Sequence, residues 1–552
     1  MISAPRRLHR SFALLLGALA WGVAPVDAAD DKRMERGEKI YAEKCLMCHQ
    51  QGGQGAPPVF PPLAGSDWMA GDRERTIKVL CEGLSGPITV LKQTYDNVMP
   101  AQVLDDGQVA DVLTFVAGSW GNKAGAFTEA EVAAARAKSR FPTYADLVKS
   151  TAYQPLPKAP AGFTLREVVQ LPEFCTRLAG GGQTVYVLAQ NGGVYALDAA
   201  ACALMPVIQA AEYLDPKRGD LVTLGMTLDG EGRLWVVSNQ KLTKDVPVYT
   251  NEVVIWRSSE TIGGHPAKLL PWFRTSYPQG VGGMNHGVSN LGFGPDGMLY
   301  VSSGSRTDGG EVRGEKEHYF QGAEVETTAG VWRLDPKAVK PEIEMYARGI
   351  RNPYGFAWDG EGNLFTFANG PDYSAPEEMD MVVRGRHYGF PYQFSDWPVK
   401  PGFPYPHTPP PPEGLAFTPP VMNLGPAAGG TGRGLGTFDP HSCPGGAIWC
   451  GADFPEALRG GFLVTRFGNL LGAPAAPEDV GFDLLSVHVT KCEDGSCTAR
   501  VETVLAPLAR PLDVLRTGPG RVLILEYTRP VTFKDKLGWL PGRILELAPA
   551  KN

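Results

Sequence analysis

The strongest chemical signal in the sequence is Cys45-Leu-Met-Cys48-His49. Two thiols separated by two residues and followed at once by an imidazole form the pattern of covalent c-type haem attachment. The thiols reach the two vinyl groups on one edge of the porphyrin, and the histidine then projects its imidazole to the iron. A redox C-x-x-C pair or half of a zinc site is the alternative, but the sequence has no second cysteine or histidine pair nearby.

The opposite axial ligand is predicted to be a methionine. His49 is the only histidine between residues 29 and 264, so a second local histidine is not at hand. Met99 lies 50 residues further on, in a Met-Pro loop before a predicted helix over about 106–119. A thioether ligand raises the reduction potential of a haem that must accept electrons. The rival methionines in this part of the chain are Met34, Met47 and Met69.

Residues 33–120 resemble a class I cytochrome c. The matching residues, in chain order, are Gly37 and Tyr41, the attachment motif, Pro61-Pro62-Leu63-Ala64-Gly65, Met99-Pro100 and a closing helix over 109–120. The resemblance implies a small all-α domain that carries electrons. We place this domain at residues 29–121.

The N-terminus, residues 1–28, is typical of an export signal. Arg6, Arg7 and Arg10 precede a short apolar stretch over 11–24, and Ala28 ends a small-residue cleavage site. An uncleaved anchor helix is the alternative. No later apolar run reaches the roughly 20 residues that cross a bilayer. Because c-type haem is attached outside the cytoplasm, we expect a periplasmic protein, and the formal charge of −7 gives no reason to expect nucleic-acid binding.

Seven further cysteines must be explained in an oxidising compartment. Sequence proximity predicts three disulfides, which are Cys492–Cys497 across a hairpin turn, Cys443–Cys450, and Cys175–Cys202. The odd count leaves Cys81 unpaired. Spacing alone does not prove such a pairing.

From about residue 163 the sequence pattern changes to short β-rich runs that follow glycine-rich or Asp-Gly turns. Six such units recur over about 390 residues, at 181–187, 229–236, 294–301, 359–366, 459–464 and 518–524. Short strands with turn glycines at a long period predict a six-bladed β-propeller over residues 161–552. The alternative is a large β-sandwich. A partly Pro-rich segment, 122–160, is predicted to link this all-β domain to the all-α domain before it.

The second domain resembles the glucose/sorbosone dehydrogenase family, over residues 163–548. The matching stretches are His286 followed by 291–300, Gly349-Ile-Arg-Asn-Pro-Tyr-Gly355, Gly370-Pro371 continuing to Glu378, and His387-Tyr-Gly-Phe-Pro391. Members of that family are six-bladed propellers that use pyrroloquinoline quinone (PQQ).

The resemblance implies a role for each matching residue. His286 occupies the position of the catalytic base, which takes the proton of a substrate hydroxyl while hydride passes to the quinone. Arg351 and Asn352 match a pair that contacts the quinone. Arg510, and more loosely Arg466, are candidates to bind the carboxylates of PQQ, because guanidinium groups suit carboxylates.

A calcium site is also implied. Ca²⁺ takes oxygen ligands, which the backbone carbonyls of Gly370 and Pro371 and the carboxylate of Glu377 or Glu378 would supply. Two positions depart from the family pattern, because Asn290 and Leu512 stand where arginines are expected. One cationic contact to the cofactor is therefore missing or supplied elsewhere.

Together the two halves predict an exported quinohaemoprotein dehydrogenase. It would oxidise a sugar, an aldehyde or a polyol with PQQ and pass electrons through covalent haem c to a periplasmic or respiratory acceptor. Fusion to the dehydrogenase gives the haem a high effective concentration. The alternatives are a non-enzymatic cytochrome c whose propeller is a binding module, and another haem-coupled propeller oxidoreductase such as a haem d1 nitrite reductase.

Overall fold

The N-terminal part of the chain is helical. In a computed structural model, the described residues are 28–57, 60–84, 86–96, 99, 102, 104–139, 151–181, 184–244, 246–280, 286–310, 322–371, 375–394, 397–398, 408–426, 436–469, 480–493, 496–529 and 540–550. Apart from Ala28, the predicted export signal lies outside them. The first elements are α1 (Ala28–Lys44), α2 (Leu46–His49), α3 (Arg73–Glu82), β1 (Ile88–Val90), β2 (Gln93–Tyr95), α4 (Asp106–Gly118) and α5 (Glu129–Ser139). No helix in these ranges is long and apolar enough to cross a membrane.

Helices α1 and α4 cross in close contact, and a glycine makes this possible. A Cβ atom on Gly37 would lie 2.0 Å from the backbone oxygen of Asp111. The same crossing is tied by Arg36, whose Nη2 donates to Asp111 Oδ1 at 3.0 Å. Asp105 caps the start of α4 through a capping box with Gln108. The predicted helix over 106–119 is thereby confirmed.

Helix α5 packs on the core of the helical part, although the sequence placed it in the linker. Phe127, Val132 and Ala135 are buried in that core. Arg73 stacks on the Phe127 ring at 3.8 Å and donates to Glu131 at 2.9 Å. The helical unit therefore extends to the end of α5.

The rest of the described chain forms six larger β-sheets, the blades, and one two-stranded sheet. The first strand is β3 (Phe163–Gln170). Blades 1 to 3 follow, with blade 1 made of β4 (Cys175–Gly181), β5 (Thr184–Ala189), β6 (Val194–Asp198) and β7 (Ala203–Ile208), blade 2 of β8 (Leu221–Leu228), β9 (Leu234–Leu242), β10 (Thr250–Ile262) and β11 (His265–Pro278), and blade 3 of β12 (Val288–Phe293), β13 (Leu299–Ser303), β14 (Gly330–Leu334) and β15 (Glu344–Arg348). Blade 4 is made of β16 (Pro353–Trp358), β17 (Leu364–Ala368) and β18 (Glu378–Val382), and three additional strands follow it, β19 (Gln393–Phe394), β20 (Trp397–Pro398) and β21 (Met422–Pro426); blade 5 is made of β22 (Pro444–Trp449), β23 (Phe462–Arg466), β24 (Asp483–Glu493) and β25 (Ser496–Leu505), and blade 6 of β26 (Pro511–Gly518), β27 (Arg521–Thr528) and β28 (Pro541–Pro549). The two-stranded sheet consists of β19 and β20, while β21 pairs with β25 of blade 5. Two short 3₁₀ helices, Ala210–Glu212 and Pro216–Arg218, precede blade 2.

The six sheets form a closed ring. The first strand of each blade contacts the first strands of its two neighbours, and β26 of blade 6 returns to β4 of blade 1. Strand β3 adds to blade 6 as its outer strand, pairing with β28 so that Gln170 lies opposite Arg543 and Phe163 opposite Pro549. The predicted six-bladed propeller is confirmed. Each of the six sequence units is the turn between the first two strands of a blade together with its second strand.

One predicted disulfide is present and two are wrong. Cys492 and Cys497 are bonded, as register partners on β24 and β25. Cys443 and Cys450 flank the extended strand β22, so they lie about 20 Å apart, whereas disulfides need Cα atoms within about 7 Å.

The pair Cys175–Cys202 fails for a similar reason. Cys175 begins β4 opposite Ala189, at one edge of blade 1, whereas Cys202 lies in the turn between β6 and β7 at the other edge. Both residues are thiols. The two pairings were predicted from proximity along the sequence, but the two ends of an extended strand are far apart in space. Cys81, predicted to be unpaired, is a buried thiol.

Candidate functional site

The haem-attachment motif forms a compact helical turn. Cys45 and His49 are buried at 7% and 6% exposure. Nδ1 of His49 lies 3.0 Å from the carbonyl oxygen of Pro61. A carbonyl only accepts, so Nδ1 carries the proton and donates, which leaves the lone pair on Nε2 for a metal. Burial lowers the pKa of His49 and raises the pKa of Cys45 to about 12 and that of Cys48 to about 11. A neutral imidazole beside two thiols on one turn fits a c-type haem.

Met99 is held by its backbone against the loop before it. Its N–H donates to Leu84 at 2.9 Å and its carbonyl accepts from Leu84 at 2.8 Å, while its side chain packs partly buried on the helical core. Met69 is buried in that core at 6% exposure. Met34 packs on α4, where its Sδ would lie 3.3 Å from a Cβ on Gly118. Two of the rivals are thus used in packing, and Met99 as axial ligand stays a prediction.

In the propeller, the predicted site residues occupy one edge of the ring. We call the edge at which the first strand of each blade begins the upper edge. Antiparallel pairing brings the segment before a first strand and the segment between the second and third strands to the same edge. The predicted residues in such segments, or at a strand end beside them, are His286, Arg351, Asn352, Gly370, Pro371, Glu377, Glu378, Arg466 and Arg510. They come from blades 3 to 6 and lie on one face.

His286 is held by the segment that follows β13. Its Nδ1 lies 3.0 Å from both the carbonyl oxygen and the Oγ of Ser305. Ser305 Oγ donates its own proton to the Thr307 carbonyl at 2.7 Å, so both Ser305 atoms accept from His286. The lone pair of His286 therefore lies on Nε2. Burial and the nearby Arg351 charge lower the pKa of His286 to about 3, which keeps the imidazole neutral.

Arg351 is buried and almost fully engaged. Its Nε donates to the Asp308 carbonyl at 2.8 Å, and Nη2 pairs with the Asp308 carboxylate. Its Nη1 donates to the carbonyl oxygens of Asn369 at 3.1 Å and Gly370 at 2.5 Å. Asp308 lies three residues after Ser305. One short segment therefore positions both His286 and Arg351.

Asn352 carries an unsatisfied buried oxygen beside His286. Its Oδ1 is buried and has no hydrogen-bond partner among the described residues. A Cβ atom on Gly304 would lie 2.4 Å from His286 Cβ and 3.1 Å from Asn352 Oδ1, so the glycine allows these two side chains to approach. An unpaired buried acceptor costs about 1–3 kcal/mol. A polar ligand at this position would recover that cost.

The two further arginines differ in their surroundings. Arg466 makes a bidentate pair with Asp483, at 2.9 and 2.6 Å, and a third bond to Asp439 at 3.2 Å. Arg510 lies between the rings of Phe467 and Phe482, at 5.0 and 4.9 Å. Burial lowers the pKa of Arg510 to about 10.

The two acidic residues predicted to bind calcium are both buried but differ in their neighbours. Glu377 accepts from the backbone N–H groups of Gly370 and Cys443, near the guanidinium groups of two arginines, and burial raises its pKa to about 8. Glu378 begins β18, directly after Glu377. Burial raises the pKa of Asp380, and the nearby charge of Glu378 raises it further. Among the described residues no group of three or more His, Cys, Asp or Glu side chains could hold a metal.

An arginine on the propeller axis was not foreseen from the sequence. Arg177, on β4, donates to Leu224 at 3.0 Å, Ser289 at 2.8 Å and Tyr354 at 3.3 Å, which belong to the first strands of blades 2, 3 and 4. It also pairs with Asp513 of blade 6. Arg177 therefore occupies the propeller axis just below the upper edge and closes the site from below. A lone arginine in an apolar β run was the signal available for Arg177. Ser305 and Asp308, in the segment after β13, were not singled out from the sequence either.

Comparisons with known proteins agree with these two parts. A family model described as "Cytochrome c" matches residues 34–120, and one described as "Glucose / Sorbosone dehydrogenase" matches residues 269–399. Cytochrome c-552 of Thermus thermophilus is 42% identical over 139 residues, which are 23% of this chain and 86% of the relative. The cytochrome c subunit of a quinone alcohol dehydrogenase from Gluconacetobacter polyoxogenes is 34% identical over 104 residues, 17% of this chain and 21% of that one.

Several solved structures that are similar to the chain are named as sugar dehydrogenases. A putative oxidoreductase (glucose dehydrogenase) from Thermus thermophilus is 21% identical, with a TM-score of 0.46, and the match covers 70% of this chain and 100% of that one. The apo form of a soluble aldose sugar dehydrogenase from Escherichia coli is 15% identical, with a TM-score of 0.48 and the same coverage. The chain belongs to the cytochrome c family and continues, in the same polypeptide, into a six-bladed propeller, of which residues 269–399 match the Glucose / Sorbosone dehydrogenase family model.

Proposed function

We propose that the protein is an exported quinohaemoprotein dehydrogenase that oxidises a sugar, an aldehyde or a polyol with PQQ. Electrons pass through its haem c to a periplasmic acceptor. One observation carries the proposal. A neutral His286, with its lone pair on Nε2, lies beside the buried, unsatisfied Asn352 oxygen and the Arg351 guanidinium. The same polypeptide contains the attachment motif for an electron-accepting haem.

The family comparisons support the two halves of this proposal. The propeller matches a dehydrogenase family over residues 269–399. Among the cytochrome relatives, one is named as a subunit of a quinone alcohol dehydrogenase and another as a subunit of gluconate 2-dehydrogenase. Cytochromes related to this one therefore work beside dehydrogenases in other organisms.

The residues on the upper edge fit PQQ, on the evidence of the buried Asn352 oxygen, which has no hydrogen-bond partner in the part of the chain that the structure describes. Asn352 and Arg510 would hold the cofactor. Arg351 and Arg466 stay predictions for this role, because Arg351 is paired with Asp308 and Arg466 with two carboxylates. When bound, PQQ supplies a quinone that accepts two electrons from the substrate carbon as a hydride. Calcium stays a prediction. Two of its predicted ligands already have other partners: the Gly370 carbonyl accepts from Arg351, and the Glu377 carboxylate accepts from backbone N–H groups.

The chain itself supplies the proton acceptor and its positioning. His286 receives the hydroxyl proton of the substrate at Nε2. Ser305 holds the Nδ1 proton and so fixes the tautomer and the orientation of the ring. The Arg351 charge disfavours protonation of His286 in the resting protein, which keeps the base available. Arg177 closes the axis beneath them.

The test is a substrate panel read at the haem. The exported protein, with covalent haem and with PQQ and Ca²⁺ added, is mixed with aldoses, aldehydes and polyols. We expect at least one class to produce the reduced haem absorption band, and no reduction when PQQ is omitted. A haem that dithionite reduces but that every substrate leaves oxidised would contradict the proposal and favour the binding-module alternative.

A further inference from the structure

The segment before the propeller is fixed to blade 6. We call residues 151–154 the clasp. The N–H of Gln154 donates to the carbonyl of Arg529 at 2.9 Å, and Nη2 of Arg543 donates to the carbonyl of Gln154. The Tyr153 ring lies under both guanidinium groups, with its centroid 4.5 Å from Cζ of Arg529 and 5.4 Å from Cζ of Arg543. Such cation–π contacts attract the ring to both guanidinium groups and so stabilise the attachment of this segment.

Arg543, which the clasp contacts, is held in place by its neighbours on blade 6. Arg543 is 4% exposed. Its Nε donates to Glu526 Oε2 at 2.6 Å and its Nη1 to Glu167 Oε2 at 3.0 Å. These partners lie on β27 and β3, on either side of Arg543 in β28. Three paired strands therefore hold this guanidinium in place for Tyr153.

The clasp lies at the upper edge of blade 6. Arg543 is paired with Gln170, the last residue of β3, and blade 6 also presents Arg510 at this edge. The chain enters the propeller fold at Phe163, which is paired with Pro549 at the opposite edge. Eight residues of strand separate the two ends of β3 by about 23 Å. The clasp thus turns the connecting segment back towards the face that carries His286.

This position limits where the haem domain can go. From Ser139, the end of α5, to Thr151 the chain advances twelve residues, which span at most about 40 Å. Without the clasp, the next fixed point would be Phe163, twenty-four residues on, with a reach of about 80 Å. That reach would start from the edge away from His286. A shorter tether that starts on the correct face raises the effective concentration of the haem there.

We propose that residues 151–154 form a clasp that tethers the cytochrome domain from the upper edge of the propeller. Its consequence for electron transfer rests on the proposed function. Each substrate oxidised releases two electrons, which reduce the ferric haem to ferrous haem one at a time, with reoxidation by the external acceptor between them. The clasp itself does not depend on that chemistry.

The test compares Tyr153→Ala with two controls in the full-length holoprotein. Leu156→Ala alters a 39% exposed residue of the same segment, and Tyr153→Phe keeps the ring. Small-angle X-ray scattering measures the maximum dimension, and thermal unfolding shows whether the propeller remains folded. We expect a larger maximum dimension for Tyr153→Ala and wild-type values for both controls. An unchanged dimension in a folded Tyr153→Ala protein would overturn the clasp.

A kinetic measurement separates the clasp from the proposed function. With PQQ and a substrate, we expect Tyr153→Ala to reduce a soluble dye at the wild-type rate but its own haem at least tenfold more slowly. Equal haem reduction in Tyr153→Ala and wild type would remove the role in electron transfer. If the wild-type protein reduces neither dye nor haem, the proposed function fails, and the scattering result alone decides the clasp.

Discussion

The state of His286 depends on residues that are distant in sequence. Ser305 binds its Nδ1 and Arg351 contributes the charge that lowers its pKa, while Asp308 ties Arg351 to the same segment. These contacts connect three separate loops. The protonation state of His286 therefore depends on the fold and not on the sequence motif around it. His286 is therefore a neutral acceptor at ordinary pH.

This environment has a measurable effect on stability. Folded His286 takes up a proton near pH 3, whereas an unfolded histidine does so near 6.5. Below about pH 6.5 the unfolded chain binds more protons, so stability falls as pH falls. Between pH 7.5 and 5 this histidine alone would cost about 1–2 kcal/mol. Urea unfolding of the propeller, followed by tryptophan fluorescence, should show a smaller pH-dependent loss for His286→Gln than for wild type. Identical losses would contradict the pKa shift.

The candidate residues were largely predictable from the sequence, but their partners were not. Cys45, His49, His286 and Arg351 stand in recognisable patterns. Asp308, by contrast, meets Arg351 across 43 residues, and a pattern within one loop contains no information on such a contact.

At the scale of elements, the crossing of α1 and α4 determines the packing of the haem domain. Gly37 sits against the backbone of α4. We expect Gly37→Ala to force the helices apart and to destabilise the domain by about 1–3 kcal/mol. Thermal unfolding followed at the haem Soret band measures this.

The matched control for that variant is Gly118→Ala, on the same helix pair. A Cβ there would meet only the flexible Met34 side chain, at 3.3 Å. Its melting temperature should stay close to the wild-type value. Equal melting temperatures for Gly37→Ala and wild type would show that the close crossing is not required.

The sequence predicted the inner part of each blade better than the outer part. The turn-and-strand units mark the first two strands of all six blades, because tight turns need glycines that stand out in a sequence. The outer strands pair at longer range and vary in length. Strand β3 completes blade 6 from the other end of the domain, through a pairing over some 380 residues. No pattern near β3 in the sequence indicates that pairing.

At the scale of the whole molecule, two devices close the ring. Strand β3 joins the two ends of the propeller, and Arg177 links the first strands of blades 1, 2, 3, 4 and 6. We expect Arg177→Met to cost about 3–5 kcal/mol, because it leaves Asp513 buried without its cation. Denaturant unfolding of the propeller measures this loss.

A surface ion pair provides the control for the axial arginine. Arg333 pairs with Asp296 and Glu344 on blade 3, and its side chain is 21% exposed. Arg333→Met should cost about 0–1 kcal/mol. If the two variants lose the same stability, the axial arginine does not hold the ring together. A double variant, Arg177→Met with Asp513→Asn, should recover part of the loss.

The central claim is that a base on the propeller and a haem on the helical domain act within one chain. Stopped-flow mixing of the PQQ-loaded holoprotein with excess substrate, followed at the haem band over a range of protein concentrations, tests it most directly. The account predicts a rate constant of haem reduction that does not change with protein concentration, and an oxidised haem in His286→Gln. A rate that rises with protein concentration, or a His286→Gln protein that reduces its haem normally, would contradict it.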